Sequence, residues 1–290
     1  MMSPTHFWGS GNRLSHRSSF QVSTLWLVLV WPLLILPLLA VANPGGSAAG
    51  PKASANAGEG QSLPADIARI IGRGELVVAM NGHDDPPFFY QRDGKLLGIE
   101  VDMGRELARE LGVQARFDRR ARSYNEVVGL VAAGEADVGI SKLSRTLHRA
   151  QRVRFSRPYL SLRHALLLNR LALAHLAGDR PVPAIIRDFD VSLGVIANSA
   201  YADFAAQNFP RAEIRAYPTW PEIIRDLRQG DLVAAYRDEF EVRRVMLEDP
   251  IAALHLRAVT LLDLEDTLGI AVGVGDDVLL DVVNLFLEQR

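Results

Sequence analysis

The chain predicts an α/β fold built as two similar lobes, each around a largely parallel sheet. Two observations carry this. From Leu76 onward, short apolar runs alternate with amphipathic segments, the pattern of strands and helices taking turns along a chain. In addition, Asn125 to Ile140 (NEVVGLVAAGEADVGI) lies on Pro221 to Tyr236 (PEIIRDLRQGDLVAAY) without a gap. Glu126 faces Glu222, Val127-Val128 face Ile223-Ile224, Val131 faces Leu227, Gly134-Glu135 face Gly230-Asp231 and Val138 faces Ala234. Each copy reads as a helix, a glycine that ends it in a left-handed conformation, an acid and a buried strand. One copy per half suggests two lobes, although helix–glycine–strand units resemble one another in any α/β protein.

Taken in order, the chain begins with a leader. Leu25 to Ala42 holds 18 residues without a charge, follows a segment carrying Arg13 and Arg17, and ends in Ala40-Val41-Ala42. It reads as a signal peptide over residues 1–42, cut before Asn43, or as an uncleaved membrane anchor. Pro32 and Pro37 interrupt its helix and the small-x-small ending suits signal peptidase, which favours cleavage. Either way the body lies outside the cytoplasm. Residues 43–64 are dominated by Gly, Ala, Ser and Pro with no large apolar side chain before Leu63, so they are expected to be a flexible linker that cannot offset its ordering entropy.

In the body, Leu76 to Met80 is expected to be a strand, Val101 to Leu111 a helix, and Val113 to Phe117 a strand. Tyr124 to Ala133 then forms a helix closed by Gly134, and Val138 to Ile140 a further strand. Ligands of open α/β sheets bind outside the carboxyl ends of the strands. In the two repeat copies those ends carry Ser141-Lys142 and Arg237-Asp238, which would face each other across a cleft suited to a polar small molecule.

Composition removes several classes of function. With no Cys in 290 residues, thiol nucleophiles, disulfides, Cys-ligated zinc, iron–sulfur clusters and lipoprotein anchoring are excluded. Beyond residue 42 the chain carries 30 Lys plus Arg against 34 Asp plus Glu, a mildly acidic body that argues against nucleic acid as a partner. Arg116 to Arg163 is nevertheless basic, with eleven Lys or Arg against four acids, which would draw an anionic ligand or a membrane partner. His83-Asp84-Asp85 is no metal site by sequence, since adjacent residues rarely reach one ion and no HExxH accompanies them. Gly72-Arg73-Gly74 and Gly273-Val274-Gly275 lack the rest of a phosphate loop, and no Gly-x-Ser-x-Gly elbow occurs. No cofactor is expected.

Three stretches then carry a resemblance. Pro86-Pro87-Phe88 followed by DGKLLGIEVDMGRELAREL, GEADVGISKLSRTLHRAQRVRFSRPYL, and LGIAVGVGDD near the end together resemble the periplasmic solute-binding proteins of the polar amino-acid uptake family, from about Gly74 to the C-terminus. The resemblance implies a type II periplasmic-binding-protein-like fold, with two α/β lobes joined by two hinge strands around an interlobe ligand cleft. The hinge candidates are Leu162 to Leu168 and Leu264 to Ala271. Lobe 1 would be residues 65–163 plus 265–290, and lobe 2 residues 164–264. It also implies a periplasmic monomer that captures an amino acid or related zwitterion for the membrane permease of an ABC transporter.

Residue by residue, the resemblance places the carboxylate-gripping arginine of its SxTxxR segment at Arg149, six residues before Phe155, with Ser144 and Thr146 beside it. A planar guanidinium offers a carboxylate two parallel charge-assisted bonds. Asp238 falls where the family places the acid that meets the ligand's ammonium, and its alternative is an N-cap for the segment Glu239 to Glu248. Ser199 corresponds to a second-lobe hydroxyl at a helix start, or is a simple N-cap. Phe88 belongs to the first stretch and is expected at the ligand. The sequence departs from the pattern at Asp85 and Ile99, where aromatics are usual, and at Lys142, where small residues are common. Asp85 and Lys142 either meet an extra charge on the ligand or pair with each other.

Two other readings share the scaffold. The resemblance extends to periplasmic cyclohexadienyl dehydratases acting on arogenate or prephenate, whose chemistry would ask Glu100, His83 or Lys142 to act as acid or base. With an uncut leader, the chain could instead be the ligand-sensing module of a membrane receptor.

Overall fold

The computed structural model describes residues 62–290, so the expected leader and nearly all of the expected linker lie outside the described residues. The first lobe opens with α1 (Ala65–Arg73) and β1 (Glu75–Asn81), followed by the hairpin of β2 (Tyr90–Arg92) and β3 (Lys95–Leu97). Then come α2 (Ile99–Glu110), β4 (Gln114–Ala121), α3 (Tyr124–Ala132), β5 (Val138–Gly139), the single turn α4 (Leu147–Ala150) and β6 (Arg154–Phe155). The chain crosses on β7 (Leu160–Asn169) and builds the second lobe from α5 (Arg170–Ala177), α6 (Val182–Arg187), β8 (Ser192–Ile196), α7 (Ala200–Asn208) and β9 (Glu213–Tyr217). That lobe continues through α8 (Trp220–Gln229), β10 (Ala234–Asp238), α9 (Glu239–Glu248) and α10 (Ala252–His255). The long β11 (Leu256–Leu268) returns, and β12 (Ala271–Val272) and α11 (Asp277–Glu288) finish the first lobe.

Two five-stranded sheets result, ordered β4-β1-β5-β12-β6 and β11-β7-β10-β8-β9. The strands of the alternating β–α runs are parallel, as the sequence predicts: β4, β1 and β5 in one sheet, and β10, β8 and β9 in the other. The expectation of largely parallel sheets holds only for these. β12 runs antiparallel to both neighbours, and β7 and β11 are antiparallel to each other, because these are the segments on which the chain crosses to the second lobe and comes back.

Both faces of each sheet are covered, so the inner strands are apolar throughout rather than alternating. In β1, Leu76 and Val78 pack with Leu107, Val138, Leu279 and Val283 on one side. Val77 and Ala79 pack with Val127, Val128 and Val131 of α3 on the other. The second lobe repeats the plan, with Leu166, Leu193 and Tyr236 on one face and Leu167, Ala235, Ile223 and Leu227 on the other. The repeat is visible in three dimensions: α3 and α8 each end at a glycine with positive φ, +70° at Gly134 and +86° at Gly230, and each leads into a buried central strand.

β7 and β11 hold the lobes together. Glu265–Leu268 pairs with Leu160–Arg163 beyond a register shift between Leu261 and Glu265. The far end of β11 is tied to the first lobe, where Ser144 bridges to Leu268 and the Gly269 N–H donates to the Leu143 carbonyl at 3.0 Å. Among the described residues no helix is long and apolar enough to cross a membrane.

Candidate ligand-binding site

A small, largely closed void lies between the lobes at the carboxyl ends of β5 and β10. The first lobe contributes Tyr124, Lys142, Ser144 and Arg149, and the second Ile196, Ser199, Ala200, Tyr201, Tyr236, Arg237 and Asp238; Asp266 and Leu268 come from β11. Lys142, Arg237 and Asp238 reach it from the ends of the buried strands β5 and β10.

Arg149 sits on α4, whose first turn is set by Thr146: the Arg149 N–H donates to Thr146 Oγ1 at 3.2 Å. The residue is 4% exposed. Its Nε donates to Asn125 Oδ1 at 3.1 Å and its Nη1 to the Ser144 carbonyl at 3.1 Å. Nη2 has no partner, and no carboxylate pairs with the group among the described residues. Burial lowers its pKa, partly offset by the more distant Asp266 and Asp203, but a guanidinium stays protonated. The result is a fixed, desolvated positive charge aimed into a void, the arrangement that receives an anion.

Lys142 is a different case. Its φ is +49°, a strained value for a residue with a Cβ, and its backbone N–H is held by both carboxylate oxygens of Glu100 at 2.8 and 3.0 Å. The ammonium lies 3.1 Å from Asp238 Oδ2 and 3.1 Å from Glu241 Oε1. The Phe88 ring lies beneath it, 4.6 Å from centroid to Nζ. Burial works to lower its pKa, but Asp238, Asp85 and Glu241 outweigh burial and raise it. Asp238 also caps α9, accepting from the Glu241 N–H at 3.1 Å, which is the alternative role the sequence offers for it, while its other oxygen is occupied by Lys142. Arg237, next along β10, donates to Asp85 Oδ2 at 2.7 Å and stacks over Trp220 with its guanidinium carbon 5.5 Å from the ring centroid. Burial pushes the Asp85 carboxyl up to about 6 against the pull of Lys142 and Arg237.

The pairing of Asp85 with Lys142, one of the two alternatives the sequence leaves open, is loose at 3.9 Å; each has a nearer partner from the other lobe. Of the residues singled out from sequence, Arg149, Asp238, Ser144, Lys142 and Ser199 line the one void. Thr146, Asp85 and Phe88 do not. Thr146 caps the turn that carries Arg149, Asp85 lines a neighbouring groove with His83 and Pro86, and Phe88 lies under Lys142, edge to face with Phe240 at 5.5 Å. Ser199 stands at the N-cap of α7, yet its hydroxyl donates to the Ile196 carbonyl at 2.6 Å and makes no cap bond.

Asp266, Glu241, Tyr201 and Tyr236 also shape the site, and no sequence motif singles them out. Asp266 is 3% exposed and accepts a 2.8 Å hydrogen bond from Ser144 Oγ. Tyr201 lines the void with its hydroxyl unpartnered, and Tyr236 lies against buried His164, whose pKa burial lowers to about 4.

The comparison with protein-family models matches bacterial extracellular solute-binding proteins, family 3, over residues 76–289. The chain belongs to this family. Two family 3 relatives and one solved structure illustrate the likeness. The L-cystine-binding protein TcyJ of Escherichia coli strain K12 is 27% identical over 229 residues, covering 74% of this chain and 77% of the relative. The histidine-binding periplasmic protein of Salmonella typhimurium is 24% identical over 204 residues, covering 68% and 75%. The crystal structure of an ancestral amino acid-binding protein, a precursor of cyclohexadienyl dehydratase, superposes with a TM-score of 0.61 at 26% identity, over 77% of this chain and 92% of that one. The two-lobed fold expected for a family 3 solute-binding protein is thus the fold observed.

Proposed function

We propose that this family 3 protein captures an amino acid between its lobes, anchored by Arg149, and presents it to the membrane permease of an ABC transporter. One observation carries the reading: a guanidinium buried at the interlobe void with an unpartnered N–H and, among the described residues, no paired carboxylate. A buried charge without a partner is costly, and a ligand carboxylate removes that cost when it arrives. The relatives named for binding L-cystine and histidine support the amino-acid class. The protein acts as an exported monomer, and ligand favours closure because only the closed form gives it contacts from both lobes.

The reading is one of binding without chemistry. Glu100, the acid an enzymatic reading would use, does not line the void; it is spent on the Lys142 N–H and the Tyr159 hydroxyl. Lys142 is tied between two carboxylates, and His83 lines the neighbouring groove. A thermal-shift screen of the purified protein against L-cystine and the common amino acids tests the proposal, since ligand at about 100 times its Kd adds ~2.7 kcal/mol to stability. At least one amino acid is expected to raise Tm, and Arg149→Ala to abolish that shift. An alanine variant that keeps wild-type affinity would remove Arg149 from its role.

A further inference from the structure

In this fold a ligand ammonium is expected at Asp238, but that acid already holds a cation. Lys142 Nζ is 3.1 Å from Asp238 Oδ2, and Arg237 Nε lies 3.7 Å from the same oxygen. A ligand ammonium seated there would have to evict a lysine that two carboxylates hold in place. The other acids of the region are also matched: Glu241 by Lys142, Arg237 and Arg244, and Asp85 by Arg237 and more loosely by Lys142.

One acid lining the void differs. Asp266 makes no ion pair with any described Lys, Arg or His, and its one hydrogen bond comes from a neutral hydroxyl, Ser144 Oγ. It is 3% exposed, and burial pushes its carboxyl up to about 6, with Ser144 and Arg149 pulling the other way. The void therefore presents one cation, Arg149, and one acid, Asp266, that make no ion pair among the described residues and act on each other only at longer range. Two opposite charges, both desolvated and neither in direct contact with a counter-ion, complement a zwitterion.

We infer that Asp266, on the crossing strand β11, and not Asp238 receives the α-ammonium of the ligand, with Lys142 permanently filling the Asp238 position. The inference rests on the proposal that Arg149 anchors the ligand's carboxylate. It explains why a lysine is tolerated in the cleft: Lys142 neutralises an acid that would otherwise be unmatched, and the acceptor role passes to a residue on the hinge. A ligand clasped by Asp266 then touches the strand that joins the lobes as well as the lobe carrying Arg149.

The test uses matched probes on the full protein. Each amino acid that binds is compared by calorimetry with its 2-hydroxy acid, which keeps size and carboxylate but replaces ammonium by hydroxyl. The wild type is expected to prefer the amino acid by about 30-fold or more, the range for a desolvated charge pair against its truncation. Asp266→Asn should erase that preference while still binding both probes through Arg149. Asp238→Asn, which retains an N-capping side chain and leaves Lys142 on Glu241, should keep it, and this variant decides the matter if Asp266→Asn does not fold. Loss of the preference in Asp238→Asn, or its survival in Asp266→Asn, would overturn the inference and leave Arg149 as anchor untouched. If no probe binds, or if binding survives Arg149→Ala, the proposed function falls and this inference with it.

Discussion

Arg149 lies buried, bonded only to a neutral amide and a backbone carbonyl, and that position works against stability. Desolvating a charge without a counter-ion costs more than two neutral acceptors return. Arg149→Ala is therefore expected to leave the apo Tm unchanged or to raise it, although it removes binding; a fall of several degrees in differential scanning calorimetry would mean that the guanidinium is structural. Glu100 supplies a pH test. Fully buried, it is pushed up from 4.5 to about 7 by desolvation, against the pull of the Tyr159 hydroxyl and the Lys142 N–H. Its proton is held more tightly in the folded than in the unfolded chain, so its contribution is complete below pH 4.5 and is lost as pH rises through about 7. Glu100→Gln removes this dependence. The stability of the variant relative to wild type should therefore increase between about pH 5 and pH 8, by up to roughly 3 kcal/mol, as read from urea melts at the two values. A difference that does not change with pH would contradict the shift.

At the scale of elements, the start of α2 shows how backbone chemistry aims the site. Gly98 precedes the helix with φ +130°, and a Cβ there would overlap the Phe88 carbonyl oxygen and stand 2.8 Å from Phe89 Cα. That close approach seats Glu100 under Lys142. Gly98→Ala is expected to destabilise the fold by about 3 kcal/mol or more, combining a strained φ with a backbone clash; thermal melts would show it, and a variant as stable as wild type would refute the packing described. The regular elements were legible in the sequence because period alone specifies them: Leu76, Val78 and their neighbours mark β1, and Gly134 and Gly230 mark the two helix ends. The direction of the crossing strands was not, because the pairing of β7 with β11 depends on where the chain turns back, which no local pattern records. Arg149 was legible through spacing within a motif. Asp266 was not, since it stands in the acidic run Asp263, Glu265, Asp266, where Asp263 and Glu265 are exposed, and only the strand's crossing selects the one that is buried.

Across the whole molecule, charges from one lobe find their counter-ions on the other. Asp85 meets Arg237, and Lys142 meets Asp238 and Glu241, so the lobes are latched by protein groups around the small void. These pairs are buried, which limits screening by salt. Removing Asp85 leaves Arg237 with only the longer contacts to Asp238 and Glu241, at 3.7 and 4.0 Å, at a cost of about 2 kcal/mol in the closed form. Asp85→Asn is accordingly expected to shift the apo protein toward an open arrangement with a larger radius of gyration in small-angle X-ray scattering, reversed by saturating amino acid; an unchanged radius would show that the latch does not govern closure. Ligand then competes with no internal partner at Arg149, while it would have to displace Lys142 at Asp238. A crystal structure with an amino acid that scores in the thermal screen shows which group holds the ligand. Its carboxylate is expected within hydrogen-bonding distance of Arg149 Nη2; a carboxylate bound elsewhere, with that N–H still unpartnered, would mean that Arg149 is not the anchor.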